Sequence, residues 1–184
     1  MDNAIEETVV GEEILRAAPP IAKKRRLEFV LPTLIVAIDQ AAKAMVRASV
    51  PVHDSVTVIP GFLDITHALN SGAAFGILNG ADFPFKTVII AVIATAALIG
   101  VGVYAASLAH HQTIARIGLA LIIGGAAGNL IDRVMAGSVV DFVDVYWRTH
   151  HFWAFNVADS AISVGVTMLI LDMLTAGPHV SKTV

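Results

Sequence analysis

Two aspartates stand where an ionisable side chain is costly. Asp141 lies in Val139-Val140-Asp141-Phe142, and Asp159 in Phe155-Asn156-Val157-Ala158-Asp159-Ser160. Ionisable groups in or beside apolar spans usually face a protein interior, and they are functional candidates by default. Two carboxylates within hydrogen-bond reach cannot both ionise, so they share a proton across the neutral range. The charged partner can then take a proton from water while the protonated one polarises a carbonyl, which is the acid–base division that hydrolyses a peptide bond. This chemistry needs no nucleophilic side chain, metal or cofactor, and none is expected. A plainer arrangement is open to the same residues. Asp141 caps a helix or pairs with Arg133 or Arg148, and Asp159 pairs inside a helix bundle.

Other polar residues recur at spacings that would bring them to the same level. Asn129 and Arg133 are four apart and share a helix face. Arg133 is suited to hold a backbone carbonyl or to orient a carboxylate. Asn156 precedes Asp159 by three, again on one face, and Asn70 arrives from an extended segment. Each Asn has an ordinary alternative as a helix cap or an interhelical hydrogen bond. Gly72 opens the stretch Gly72-Ala73-Ala74, which permits close backbone approach to a neighbour or a ligand. Asp132 points elsewhere on its helix than Arg133 and reads as structural. Asp39 and Lys43 are four apart, which favours an internal ion pair with a structural role. His150 and His151 read as interfacial loop residues, because adjacent loop histidines rarely ligate one ion and no HExxH occurs.

The elements that must position these groups are apolar spans. The chain has 184 residues, 56% hydrophobic and 15% charged, against about 25% charged in a soluble domain. Its mean hydropathy is +0.75. No Lys, Arg, Asp or Glu occurs between Lys86 and Arg116. Four helices are expected near 27–48, 84–107, 113–135 and 154–175, each long enough to cross a bilayer. The basic cluster Lys23 to Arg26 precedes the first span, and no Lys or Arg lies between Arg47 and Lys86. The excess of basic residues marks the cytoplasmic side, which puts both termini inside and the 49–83 and 136–153 loops outside. Both aspartates then fall at the outer face. Tyr146, Trp147 and Trp153 suit an aromatic belt at that level. Alternation through Ser55-Val56-Thr57-Val58-Ile59, the Pro60-Gly61 turn and an extended Phe62–Thr66 predict a small β element within 50–78.

The division expected is a disordered cytoplasmic tail at 1–26, a membrane domain at 27–175 and a second cytoplasmic tail at 176–184. The acidic start, with Asp2, Glu6, Glu7, Glu12 and Glu13, does not read as a signal peptide. A net charge of −3 with no large basic surface argues against a nucleic-acid partner, and the absence of cysteine excludes disulfides and thiol chemistry. A small transporter is the main rival. Against it, the acidic groups gather at one face and no inverted repeat is evident. A non-enzymatic assembly protein would use the polar residues for packing only, and would tolerate asparagine at both aspartates.

Five blocks, in order and spacing, resemble the lipoprotein signal peptidases (signal peptidase II, aspartyl protease family A8). They are Asp39-Gln40 with Lys43, Asn70-Ser71-Gly72-Ala73-Ala74-Phe75-Gly76, Gly125 to Arg133, Val139 to Phe142, and Phe155 to Ala161. The likeness covers about residues 27–175. It implies an all-α membrane protein of four transmembrane helices with a small external β-cradle, in the bacterial cytoplasmic (inner) membrane. It implies an endopeptidase that removes the signal peptide of a prolipoprotein by cutting before the diacylglyceryl-modified cysteine of the lipobox. Positions matching Asp141 and Asp159 are the family's catalytic dyad, and those matching Asn70, Asn129, Arg133 and Asn156 line its active site. The implied partners are the prolipoprotein, membrane lipid and a globomycin-type inhibitor, with the enzyme acting as a monomer. The N-terminal tail is longer than the family's usual start.

Overall fold

In the computed structural model, the residues described are 26–72, 77–78, 80–81, 83–109 and 111–175. Of the expected 1–26 tail, residues 1–25 lie outside them, as do the 176–184 tail and residues 73–76, whereas Arg26 begins the first helix. Helix α1 spans Arg26–Ser49, α2 Lys86–Ser107, α3 Thr113–Ala136 and α4 Val157–Thr175. All four are long and apolar enough to cross a membrane. At about 1.5 Å per residue, even the shortest matches a hydrocarbon core about 30 Å thick. The protein is a membrane protein of four helices and a small antiparallel sheet.

Helix α3 is the hub and packs on α1, α2 and α4. Its small residues let backbones meet, which is how helices associate where lipid tails compete for every apolar surface. A Cβ on Gly118 would lie 2.8 Å from the Gly165 carbonyl oxygen, and one on Gly125 would collide with the Ala158 carbonyl. Pro32, inside α1, sits against Gly124 in the same manner. Helix α2 is apolar all round and packs mainly on α3, so lipid covers most of it.

The sheet has the order β1-β2-β3-β4, with β1 Ser55–Ile59, β2 Leu63–Asn70, β3 Val139–Trp147 and β4 His150–His151. The expected 50–78 element supplies only half of it. Strands β3 and β4 come from the 136–153 segment read as a loop, so His150 and His151 are strand residues. The β-branched and aromatic run Val139–Trp147 suits a strand, but its buried start departs from strict alternation. A core of Val46, Val50, Val140 and Phe142, with Ile65, Leu69 and Val157 packed on it, joins the end of α1 to the sheet and α4. That core fixes the sheet at one end of the bundle.

Candidate active site

Asp159 is placed by the first turn of α4. Asn156 is the residue before the helix. Its Oδ1 accepts from the Asp159 amide at 2.9 Å, while Asp159 Oδ2 accepts from the Asn156 amide at 3.2 Å. This is a reciprocal capping box, satisfying two amides that the helix start would leave orphaned. The carboxylate therefore has a fixed rotamer at the positive end of the helix dipole. Its other oxygen, Oδ1, receives the Asn129 side-chain amide at 2.8 Å.

Asp141 reaches the same place from the sheet. Backbone bonds between Val143 and Phe155, at 2.8 and 3.1 Å, hold the chain entering α4 against β3 and bring Asn156 beside Asp141. Asn156 Nδ2 donates to Asp141 Oδ1 at 2.7 Å, and Asn70 Nδ2 donates to Asp141 Oδ2 at 3.1 Å. Asn70 in turn accepts the Gly72 amide at 2.9 Å. The two carboxylates thus share Asn156, which is fully buried. Among the described residues neither forms an ion pair, so the alternative pairing of Asp141 with Arg133 or Arg148 is not what the fold builds. Asp141 is 5% exposed. Burial, and then the nearby charge of Asp159, raise its pKa from 3.8 to about 6, against the opposing effect of the asparagine amides and Lys43.

A buried ionic network backs the asparagines. Lys43 Nζ meets Asp39 at 2.8 Å, Asp132 at 3.0 Å and Asn129 Oδ1 at 2.9 Å, which uses all three ammonium protons. Because Lys43 requires an oxygen, Asn129 must turn its NH2 toward Asp159. Arg47 closes the charge balance on Asp132 at 2.8 Å, and Gln40 bridges Asp39, Asp132 and the Gly128 carbonyl. Asp39 Oδ1 also accepts the Ala158 amide at 2.9 Å, capping α4 from α1. Asp132 reaches the Val140 amide at 3.3 Å, next to Asp141. Asp132 therefore joins the Asp39–Lys43 pair. Arg47 was not singled out in the sequence, although Asp39, Lys43 and Arg47 at i, i+4 and i+8 share one face of α1. Arg133 holds the Gly72 carbonyl at 3.0 Å and its own Asn129 carbonyl at 3.2 Å. It hydrogen-bonds two backbone carbonyls and neither aspartate, although its charge acts on both.

Comparison with known proteins decides the family. A family model described as signal peptidase (SPase) II matches residues 31–175. The chain belongs to the signal peptidase II family. A lipoprotein signal peptidase of Solibacter usitatus is 49% identical over 144 residues, which is 77% of this chain and 86% of that protein. One from Geobacter metallireducens is 43% identical over 159 residues, covering 85% and 96%. A solved structure described as a bacterial membrane enzyme superposes with a TM-score of 0.73 at 31% identity, covering 85% of this chain and 93% of the other. Signal peptidase II is an aspartic protease family. Two carboxylates share one buried asparagine and form no ion pair among the described residues, while the Arg133 guanidinium acts on both from a distance.

Proposed function

We propose that Asp141 and Asp159 are the catalytic pair of this signal peptidase II and together activate one water on the scissile carbonyl. The chain is an aspartic endopeptidase that removes signal peptides from prolipoproteins. The observation that carries the dyad is the placement of both carboxylates on neutral amides around Asn156, with Lys43 already neutralised by Asp39 and Asp132. A cation on either carboxylate would fix it as a permanent anion, whereas neutral donors leave a proton free to be shared. Burial and the nearby Asp159 charge raise the Asp141 pKa to about 6, so the pair holds a shared proton more tightly than two free carboxylates would. The ionised member of the pair takes a proton from the attacking water while the protonated member hydrogen-bonds the carbonyl oxygen. The tetrahedral intermediate then collapses as the proton passes to the leaving amine.

Asn70, Gly72, Asn129, Arg133 and Asn156 position the substrate and the dyad, and Asp39 with Lys43 holds α1, α3 and α4 in register beneath them. The cut falls before a diacylglyceryl-modified cysteine. The lipid stays in the outer leaflet and presents the bond at the sheet end of the bundle, which orients it toward the carboxylates. That end faces outward from the inner membrane, with both termini cytoplasmic. One monomer carries the whole site, and a globomycin-type cyclic peptide occupies it.

The test is cleavage of a synthetic diacylglyceryl-cysteine lipopeptide by wild type, Asp141→Asn and Asp159→Asn. Turnover lost in both folded variants, and blocked in wild type by globomycin, supports the dyad. Either variant cutting at the wild-type rate rejects it.

A further inference from the structure

Lys86 is the only Lys or Arg between Arg47 and Arg116, and it stands at the first position of α2. A cation there opposes the helix dipole, and the first turn of α2 holds no acidic residue to offset it. The helix start has no side-chain cap either, and Phe85 before it adopts φ 62°. Helix stability therefore does not explain the lysine. Its contacts do. The ammonium donates to Ser71 Oγ at 3.0 Å, to the Ala81 carbonyl at 2.8 Å and to the Leu78 carbonyl at 3.5 Å. Lys86 thus ties the residue that directly follows β2 to residues near the start of α2.

Ser71 lies between two residues that the site uses. Asn70 donates to Asp141, and the Gly72 carbonyl is held by Arg133 from α3. The segment Asn70-Ser71-Gly72 is consequently gripped at successive residues by Asp141, Lys86 and Arg133. Three different elements, β3, α2 and α3, supply those grips. Among the described residues, Lys86 alone of the three also bonds Leu78 and Ala81, in the segment that leads into α2.

We propose that Lys86 is a positioning residue of the peptidase, clamping Ser71 so that the Asn70–Gly72 backbone forms a fixed wall of the substrate groove. This rests on the dyad reading above. It acts through Ser71; Asp141 keeps its Asn156 donor and Asp159 its Asn129 donor, so the clamp bears on the dyad only through Asn70. Losing the clamp therefore weakens substrate binding more than turnover.

Kinetics on the diacylglyceryl-cysteine lipopeptide test it. Lys86→Met keeps the stem and removes the donors. KM should rise roughly tenfold, as loss of one hydrogen bond to a charged group implies, with kcat little changed. Lys86→Arg, which retains donors, should recover most of the loss. Ser71→Ala should add little in the Lys86→Met background, since both remove the Lys86–Ser71 hydrogen bond. An unchanged KM in Lys86→Met, equal damage from Lys86→Arg, or multiplying effects in the double variant would each overturn the proposal. If Lys86→Met does not fold, Ser71→Ala decides alone: a raised KM supports the clamp and a wild-type KM rejects it. Asp141→Asn run in parallel separates the two readings. Turnover in that variant sinks the dyad, whereas an inactive Asp141→Asn beside a silent Lys86→Met sinks only the clamp.

Discussion

Replacing Asp141 by asparagine should stabilise this enzyme at neutral pH while abolishing its activity. Its carboxyl is 5% exposed, and its pKa stands at about 6 in the folded protein against 3.8 for a free side chain. A folded-state pKa above the unfolded value means that the native state binds the proton more tightly. Stability is then full below about pH 4 and is lost as pH rises toward 6. A shift of this size corresponds to about 3 kcal/mol of penalty at pH 8. Asparagine carries no charge to desolvate, so that penalty vanishes. The replacement has a cost of its own, because Asn156 and Asn70 both donate to Asp141 and an amide offers only one oxygen. One donor is left facing an NH2 group, at about 1–2 kcal/mol. The net gain at pH 8 is about 1–2 kcal/mol, turning to a net loss near pH 4. Thermal unfolding of detergent-solubilised wild type and Asp141→Asn at pH 4.5 and pH 8 reads both values. A stability difference that does not move toward the variant with rising pH would refute the burial argument.

Three further outcomes follow from the same contacts. Lys43→Met leaves Asp39 and Asp132 facing each other without their shared cation, and should destabilise the protein by about 3–5 kcal/mol; the unfolding midpoint reads this, and a wild-type midpoint contradicts it. Asn156→Ala removes the cap of α4 and a donor to Asp141, costing about 0.5–2 kcal/mol in stability and at least tenfold in kcat by misplacing the dyad. Equal kcat at equal folded fraction would show that Asn156 is a cap only. Gly125→Ala drives a methyl into the Ala158 carbonyl at the start of α4 and should cost about 1–3 kcal/mol, with activity falling further than the unfolded fraction explains.

Legibility in the sequence divided along physical lines. The spans were readable because hydropathy over about 20 residues is a local property, and the observed ends of α1 to α4 lie within three residues of those expected. The Asn156–Asp159 relation was readable in part, since a spacing of three places both on one face, though the reciprocal cap was not foreseen. Strand β3 is hidden because it begins two residues after the C-cap Gly137 and buries consecutive residues, so no alternation announces it. The meeting of Asp141 with Asp159 depends on the backbone bridge between Val143 and Phe155, which no side-chain pattern encodes. Asp132 sits in the buried ionic network, and its partners Lys43 and Arg47 lie on another helix, about 85 residues away in the chain, where no local spacing shows them. Lys86 looked like a boundary of α2, and only its hydrogen bonds give it a different meaning.

As a catalytic pair, Asp141 and Asp159 should behave as one electrostatic unit. The titration of Asp141 itself reads this, followed by the carboxyl signal of isotope-labelled aspartate in wild type and in Asp159→Asn. Wild-type Asp141 should titrate near 6. In the variant the value should fall, because the neighbouring charge is gone, and stay above 3.8, because burial remains. An Asp141 that titrates at the same pH with and without the Asp159 charge would contradict a shared proton.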